Sequence, residues 1–314
     1  MKTHILLIAF ACISMFGCQK TIVEDASTLP KDFVPLPVPK PGTGLQVHIE
    51  AFPVPANFER EFFIRKDLGN TEDIFVNAIQ SSSRVGSHHF VLSTLQETPN
   101  FPLPPANQLI DQNNIDGTFN LFSSVNRASI LFIAQSADYE LRLPAGYGLR
   151  MPKNYKFLAN PHYFNKTNAV RWGEVYFNLY TTPKEQVKTV LELDVLDGTE
   201  ALVLPPKKET TITTDRIFDV KTQITTMSPH YHRRGKKFVV QILGGLRNGE
   251  VILESYDYIH PVVGFFVNNP LILEKGQGLR TIVTYQNDES RTVKYGVTSE
   301  DEMNYLFLYK TELK

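Results

Sequence analysis

The sequence predicts an all-β fold, two consecutive jelly-roll-like antiparallel β-sandwiches, on three observations. Short runs of strand character recur along the chain and are bounded by Gly, Pro and Asn. A content of 21 Phe, 13 Tyr and 20 Pro favours strands and turns over helix bundles. Long apolar patterns at helical spacing are missing. The 314 residues leave room for two domains, and a 42% hydrophobic content is enough to build a sizeable core. Lysine and arginine together number 32 against 33 acidic residues, so the chain carries no electrostatic footprint for nucleic acid.

Taken in order, residues 1–18 read as a signal peptide. One early lysine precedes an apolar run from Ile5 to Phe16, too short to span a bilayer as a helix. Gly17-Cys18 resembles the lipobox of bacterial lipoproteins, with Met15 where leucine is usual. That resemblance implies lipidation at Cys18 and a place in the cell envelope, on the outer membrane, attached through the lipid anchor alone. An ordinary secretory cleavage nearby is the alternative. Residues 19–44 end in "FVPLPVPKPGTG", whose alternating prolines favour an extended tether, or else a leader with no spacer role.

Strand-like runs begin at Leu45 with "LQVHIEAF" and "EREFFIRKDL", and continue through "HHFVLSTL", "SILFIAQS" and "YELRLP". These are expected to form a first sandwich over 45–175. "VRWGEVYFNLYTT", "KTVLELDVL", "KKFVVQILGG", "EVILESYDYI" and "LRTIVTYQN" lead into a second sandwich over 176–314, with the boundary between Asn168 and Gln186. "VLELDVL" alternates and would pack its apolar face inward. No tandem repeat at a fixed period is visible. The only cysteines, Cys12 and Cys18, lie in the leader, so the body has neither a disulfide framework nor a thiolate metal site.

Histidine placement is the conspicuous feature. His88 and His89 are adjacent, although neighbours on a regular strand point to opposite faces, and one buried imidazole would then lack a partner. His230 and His232 form an H-x-H pair, which on an extended segment puts both rings on one face, a natural bite for one metal ion. His162, in "NPHYFNKT", reads on its own as a turn or core histidine. Met303, in "EDEM", reads on its own as a core methionine filling a gap. His48 and His260 fit no ligand pattern. Arg233, Arg234 and Lys236 read as a mostly solvated basic turn, or one that could attract an anionic reductant or substrate.

In order, "GSHHFVLS", "PHYFNKT", "SPHYHRRGKKF" and "SEDEMNYLFLYK" resemble the copper type II, ascorbate-dependent monooxygenases, the family of peptidylglycine α-hydroxylating and dopamine β-monooxygenases. The resemblance spans roughly Leu45 to Lys310. It implies two copper ions per chain. His88, His89 and His162 would hold an electron-donating copper in the first sandwich. His230, His232 and Met303 would hold the oxygen-activating copper in the second. O2, ascorbate or a similar reductant, and an organic substrate would be the partners, with the substrate entering between the sandwiches. Imidazole suits copper, and a soft thioether stabilises Cu(I), whereas zinc more usually recruits a carboxylate or thiolate. Two departures stand out. The disulfides of animal relatives are absent, and the arginine and tyrosine with which the peptide-specific enzymes grip a carboxylate are Ser228 and Phe307 here. Peptide amidation is therefore not expected, and the substrate stays open. The alternatives are a non-catalytic copper-binding surface lipoprotein and a β-sandwich binding module whose histidines are incidental.

Overall fold

Strand Arg171–Thr182 shows how the apolar pattern becomes structure. Val175, Phe177 and Leu179 alternate along it and are all fully buried. Each such side chain contributes about 1.5–3 kcal/mol by leaving water. The computed structural model describes residues 33–94, 103–111, 129–266, 269–296, 298 and 300–313. The expected signal peptide, Cys18 and most of the expected tether lie outside the described residues. No helix of the described residues is long and apolar enough to cross a membrane.

The fold is all-β and sandwich-like, as expected. A five-stranded antiparallel sheet has the order Leu109–Asp111, Phe58–Asp67, Lys156–Asn165, Ser87–Thr94, Ser129–Ala134. It packs on one half of a ten-stranded sheet that includes Gly44–Val54, Arg171–Thr182, Ile74–Ser83 and Tyr147–Met151. Phe62, Phe90, Phe132 and Phe157 meet Ile49, Ile79 and Phe177 between these layers, forming the first core. A four-stranded sheet has the order Lys208–Ile217, Gly278–Asn287, Gly235–Leu243, Val251–Ser255. It packs on the other half of the large sheet, Thr189–Asp197, Asn304–Glu312 and Thr222–Tyr231. Phe238, Val240 and Val283 meet Ile224, Met227 and Leu308 in the second core.

The large sheet therefore runs through both sandwiches. Its halves join where Tyr147–Met151 pairs in parallel with Thr189–Asp197, Thr189 opposite Tyr147 and Leu191 opposite Leu149. Leu191 lies in the first core and Leu196 in the second, so the chain passes between sandwiches within one strand. The expected boundary at 175/176 falls earlier, inside Arg171–Thr182, whose buried apolar side chains Val175, Phe177 and Leu179 all belong to the first core. Tyr309 also crosses back, donating its hydroxyl to the Leu131 carbonyl at 2.7 Å. The proline run is shorter as a tether than expected. The Leu36 and Pro37 carbonyls accept hydrogen bonds from Gln46 and Asn178, which clips this segment to the sheet edge.

Candidate metal centre

The adjacent histidines are reconciled by a backbone irregularity. Ser87 pairs with Tyr163, but His89 pairs with His162, so a β-bulge leaves His88 as an extra residue. Phe90 and Leu92 beyond it point into the first core, and His89 takes the outer face of the five-stranded sheet. The bulge brings the His88 ring round to the same side, with ring centres 5.2 Å apart. Gly86, at φ 102°, makes the preceding turn in a conformation that side-chain-bearing residues avoid.

His162 sits directly across from His89 in the ladder, with ring centres 4.7 Å apart. Ligand nitrogens of His88, His89 and His162 all lie within 4.8 Å of one another. On Thr222–Tyr231 a second shift, between Ile224 and Thr226, turns Met227 and Tyr231 into the second core. Ser228 and His230 take the opposite face, towards the first sandwich, and His232 follows at the strand end. The His230 and His232 rings stand 5.4 Å apart.

The two groups of histidines do not occupy separate cradles. His230 lies 5.5 Å from His89 and 6.2 Å from His88, and His232 lies 5.8 Å from His88, centre to centre. Five imidazoles form one cluster. The register that pairs Tyr231 with Asn304 brings Met303 alongside His232, and Met303 lines the same cavity as His89 and His230.

The hydrogen bonds fix which ring nitrogens are free. The Gln135 amide donates to Ser228 Oγ and to the Pro229 carbonyl, so its oxygen faces His230 and accepts from Nδ1 at 2.9 Å. His232 Nδ1 donates to the Asp301 carbonyl, and His162 Nε2 donates to Glu59 at 2.6 Å. His89 Nε2 stands 3.9 Å from Glu61. That leaves His88 Nε2, His89 Nδ1, His162 Nδ1 and His232 Nε2 buried with no hydrogen-bond partner. Four orphaned imidazole nitrogens in one cluster are costly unless something binds them. A soft or borderline metal ion fits, and a carboxylate or carbonyl behind each ligand is the usual support.

Electrostatics agree with this fit. Burial, reinforced by neighbouring imidazoles, pushes the His88 pKa down to about 3. Burial likewise takes His232 down to about 4, and His89 and His230 well below the usual range. These four are therefore neutral, the form that binds metal. At His162 burial acts downward, but the charges of Glu61 and Glu59 outweigh it and the net shift is upward. Glu302 is raised to about 7 by burial, partly offset by the backbone N–H groups of His232, Arg234 and Met303, all of which it accepts. Glu302 thus ties the H-x-H end to the methionine.

Sequence reasoning missed Glu59, Glu61 and Gln135. Only the first two left a trace, the alternating acids of "EREFF" on one strand face. Arg234 corrects another expectation. It is buried, ion-paired with Glu289, and not solvated. His48 is structural as expected, bonded to Glu174 and stacked on Tyr176 at 4.0 Å, and exposed His260 meets only Asp257. Tyr163 points away from the histidines into the first core, its hydroxyl donating to the Glu174 carbonyl.

No family model matches the sequence, and no curated protein matches it. Among solved structures, the chain is similar to the STIV MCP at 9% identity and a TM-score of 0.31, covering 85% of this chain and 91% of that one. It is also similar to infectious bursal disease virus, Gx strain, at 9% identity and a TM-score of 0.16, covering 87% and 74%. Likeness at this level adds nothing on function, which rests on the site alone.

Proposed function

We propose that the protein is a copper-dependent monooxygenase that hydroxylates a C–H bond with O2, drawing electrons from a small reductant such as ascorbate. The observation that carries this reading is the convergence of His88, His89, His162, His230 and His232 on one cluster with orphaned ring nitrogens, beside Met303. Five imidazoles and a thioether suit copper in both oxidation states. Bound there, copper supplies one-electron chemistry with O2. The overall change balances as R–H plus O2 plus two electrons and two protons giving R–OH and water, with an enediol such as ascorbate as the electron source.

The chain's own residues orient and insulate. Glu59, Gln135 and the Asp301 carbonyl hold the His162, His230 and His232 rings in one tautomer each, leaving the inward nitrogen free. His88, His89 and His162 form the electron-donating side, and His230, His232 and Met303 form the oxygen-activating side. Ser228 and Phe307 stand directly opposite each other on neighbouring strands. No guanidinium is present at that pair, which supports a substrate other than a peptide carboxylate. Lipidation at Cys18 would place the enzyme in the bacterial cell envelope.

The test is metal content of leader-free protein beside His88→Ala and His230→Ala. Two coppers per chain, falling to one in each variant, is the expected result; a protein dialysed after copper exposure and holding none sinks the proposal. The merging of all five rings into one cluster also favours a second reading, a closed copper-binding site without turnover. Ascorbate-dependent O2 uptake separates the two.

A further inference from the structure

The five-histidine layer divides two cavities, one mainly apolar and one of mixed charge. On one side a cavity of about 390 Å³ lies between the outer face of the five-stranded sheet and the strands Thr189–Asp197 and Asn304–Glu312. His89, His230 and Met303 face it. On the other side a cavity of about 500 Å³ is faced by His88 and His232, and its wall carries charges of both signs, Lys166 and Arg233 with Glu59 and Glu300. We infer that the substrate is an uncharged, largely apolar molecule of one or two rings, bound in the smaller cavity against His230 and Met303. The inference rests on the monooxygenase reading and names its substrate class.

The smaller cavity is apolar on both walls, with Phe63, Val91 and Leu158 facing Val195, Tyr305 and Phe307. Aromatic rings run in series up to the cluster: Tyr295 to Tyr305 at 6.3 Å, Tyr305 to Phe307 at 6.0 Å, and Phe307 to His230 at 6.2 Å. Such a series favours an apolar or aromatic guest. The volume is that of a small-ligand site.

Charge decides the class further. Among the described lining residues of this cavity there is no lysine or arginine. Its two carboxylates are already engaged. Glu61 accepts from Asn160 and lies against His89, and Asp197 accepts from the Thr199 backbone and hydroxyl. No lysine or arginine of this cavity would neutralise an anionic guest, and two acids stand beside it; only the ion held at His230 and Met303 would offset that charge. A cationic guest would find both acids occupied.

The experiment uses leader-free protein and four probes, indole, benzyl alcohol, benzoate and benzylamine, with Kd measured by calorimetry before copper exposure, so that no probe is held by ligating the metal, and copper content measured after it. Indole and benzyl alcohol are expected to bind, with benzoate and benzylamine at least about tenfold weaker. Leu158→Trp, which fills the cavity, should weaken indole at least about tenfold while copper content stays the same. Phe307→Arg should turn the preference towards benzoate. Equal or tighter binding of either charged probe to the unaltered protein overturns the inference, as does indole affinity unchanged in Leu158→Trp. Copper content is read separately. Indole binding that is sensitive to Leu158→Trp in a protein holding no copper would uphold the ligand class and sink the oxygenase reading.

Discussion

In the first sandwich Asn165 donates to the carbonyls of Val54, Pro55 and Ala169 and accepts from the Thr167 N–H. In the second, Asn287 donates to Leu204, Pro205 and Arg291 and accepts from the Glu289 N–H. Asn57 and Lys207, each at the turn beside this clamp, share a left-handed backbone, φ 51° and 53°. Tyr163 and Tyr285 then match, their hydroxyls donating to the Glu174 and Met303 carbonyls. The bulge at His88 has its counterpart at Lys236, between Gly235 and Lys237. One architectural unit is present twice.

The chemistry differs at matching positions. Where the first sandwich has His88-His89-Phe90, the second has Lys236-Lys237-Phe238, and Lys237 pairs with Glu254 in solvent. Where the second has His232 and Met303, the first has Arg84 and Glu174, a buried pair at 2.7 Å with His48 on the other carboxylate oxygen. Each unit therefore places its histidines at a position that its twin has closed with ordinary charges. The cluster exists because the two donor positions, non-equivalent in the plan, face each other.

The largest effect that tests this contrast is on stability. Glu174→Ala removes the carboxylate paired with buried Arg84 and with His48, and should cost about 3–5 kcal/mol in chemical denaturation. Its counterpart Met303→Leu keeps volume and should cost less than about 1.5 kcal/mol while lowering copper content. Comparable losses in the two would dissolve the contrast. Next, Asn165→Ala and Asn287→Ala each orphan several carbonyls and should each cost about 2–3 kcal/mol. A wide gap between them would mean the corners are not equivalent.

How much of this was legible from the sequence varies by layer. Alternation in "VLELDVL" and Phe-rich runs was enough for strands, because burial on one face needs only period two. Of the six expected ligands, only His230 and His232 were legible from local spacing, because H-x-H needs no tertiary information; His162 and Met303 came only with the order of the four motifs. The doubling was not, since each unit keeps only isolated Asn, Pro, Tyr and Phe residues in common. The bulge at His88 is a matter of ladder register, and Gln135 reaches His230 from the bend that follows Ser129–Ala134, far away in the chain. Neither leaves a local pattern.

Two smaller effects sharpen the comparison. Glu59→Gln removes the carboxylate behind His162 and should weaken copper binding by about 10–100-fold in a chelator competition, with little change in folding. An unchanged affinity would detach Glu59 from the site. Last, pH acts on the metal-free protein. His88 and His232, held near 3 and 4, cannot take up the protons that the unfolded chain takes near 6.5. They oppose folding as pH falls below that value. Glu302, raised to about 7 from 4.5, has the opposite sign and opposes folding as pH rises. Stability should climb between pH 4 and 6.5, more steeply in Glu302→Gln. Denaturation midpoints across that range decide it, and a slope identical in both proteins removes Glu302 from the balance.

The parallel seam between Tyr147–Met151 and Thr189–Asp197 has a mechanical consequence. A clamshell opening of the sandwiches would have to tear a backbone ladder and pull Tyr309 from its seat on Leu131. The span from one imidazole group to the other is thus fixed when the chain folds. Small molecules must reach the histidines through the cavities on either side of them, while the two lobes stay locked like halves of a welded casing.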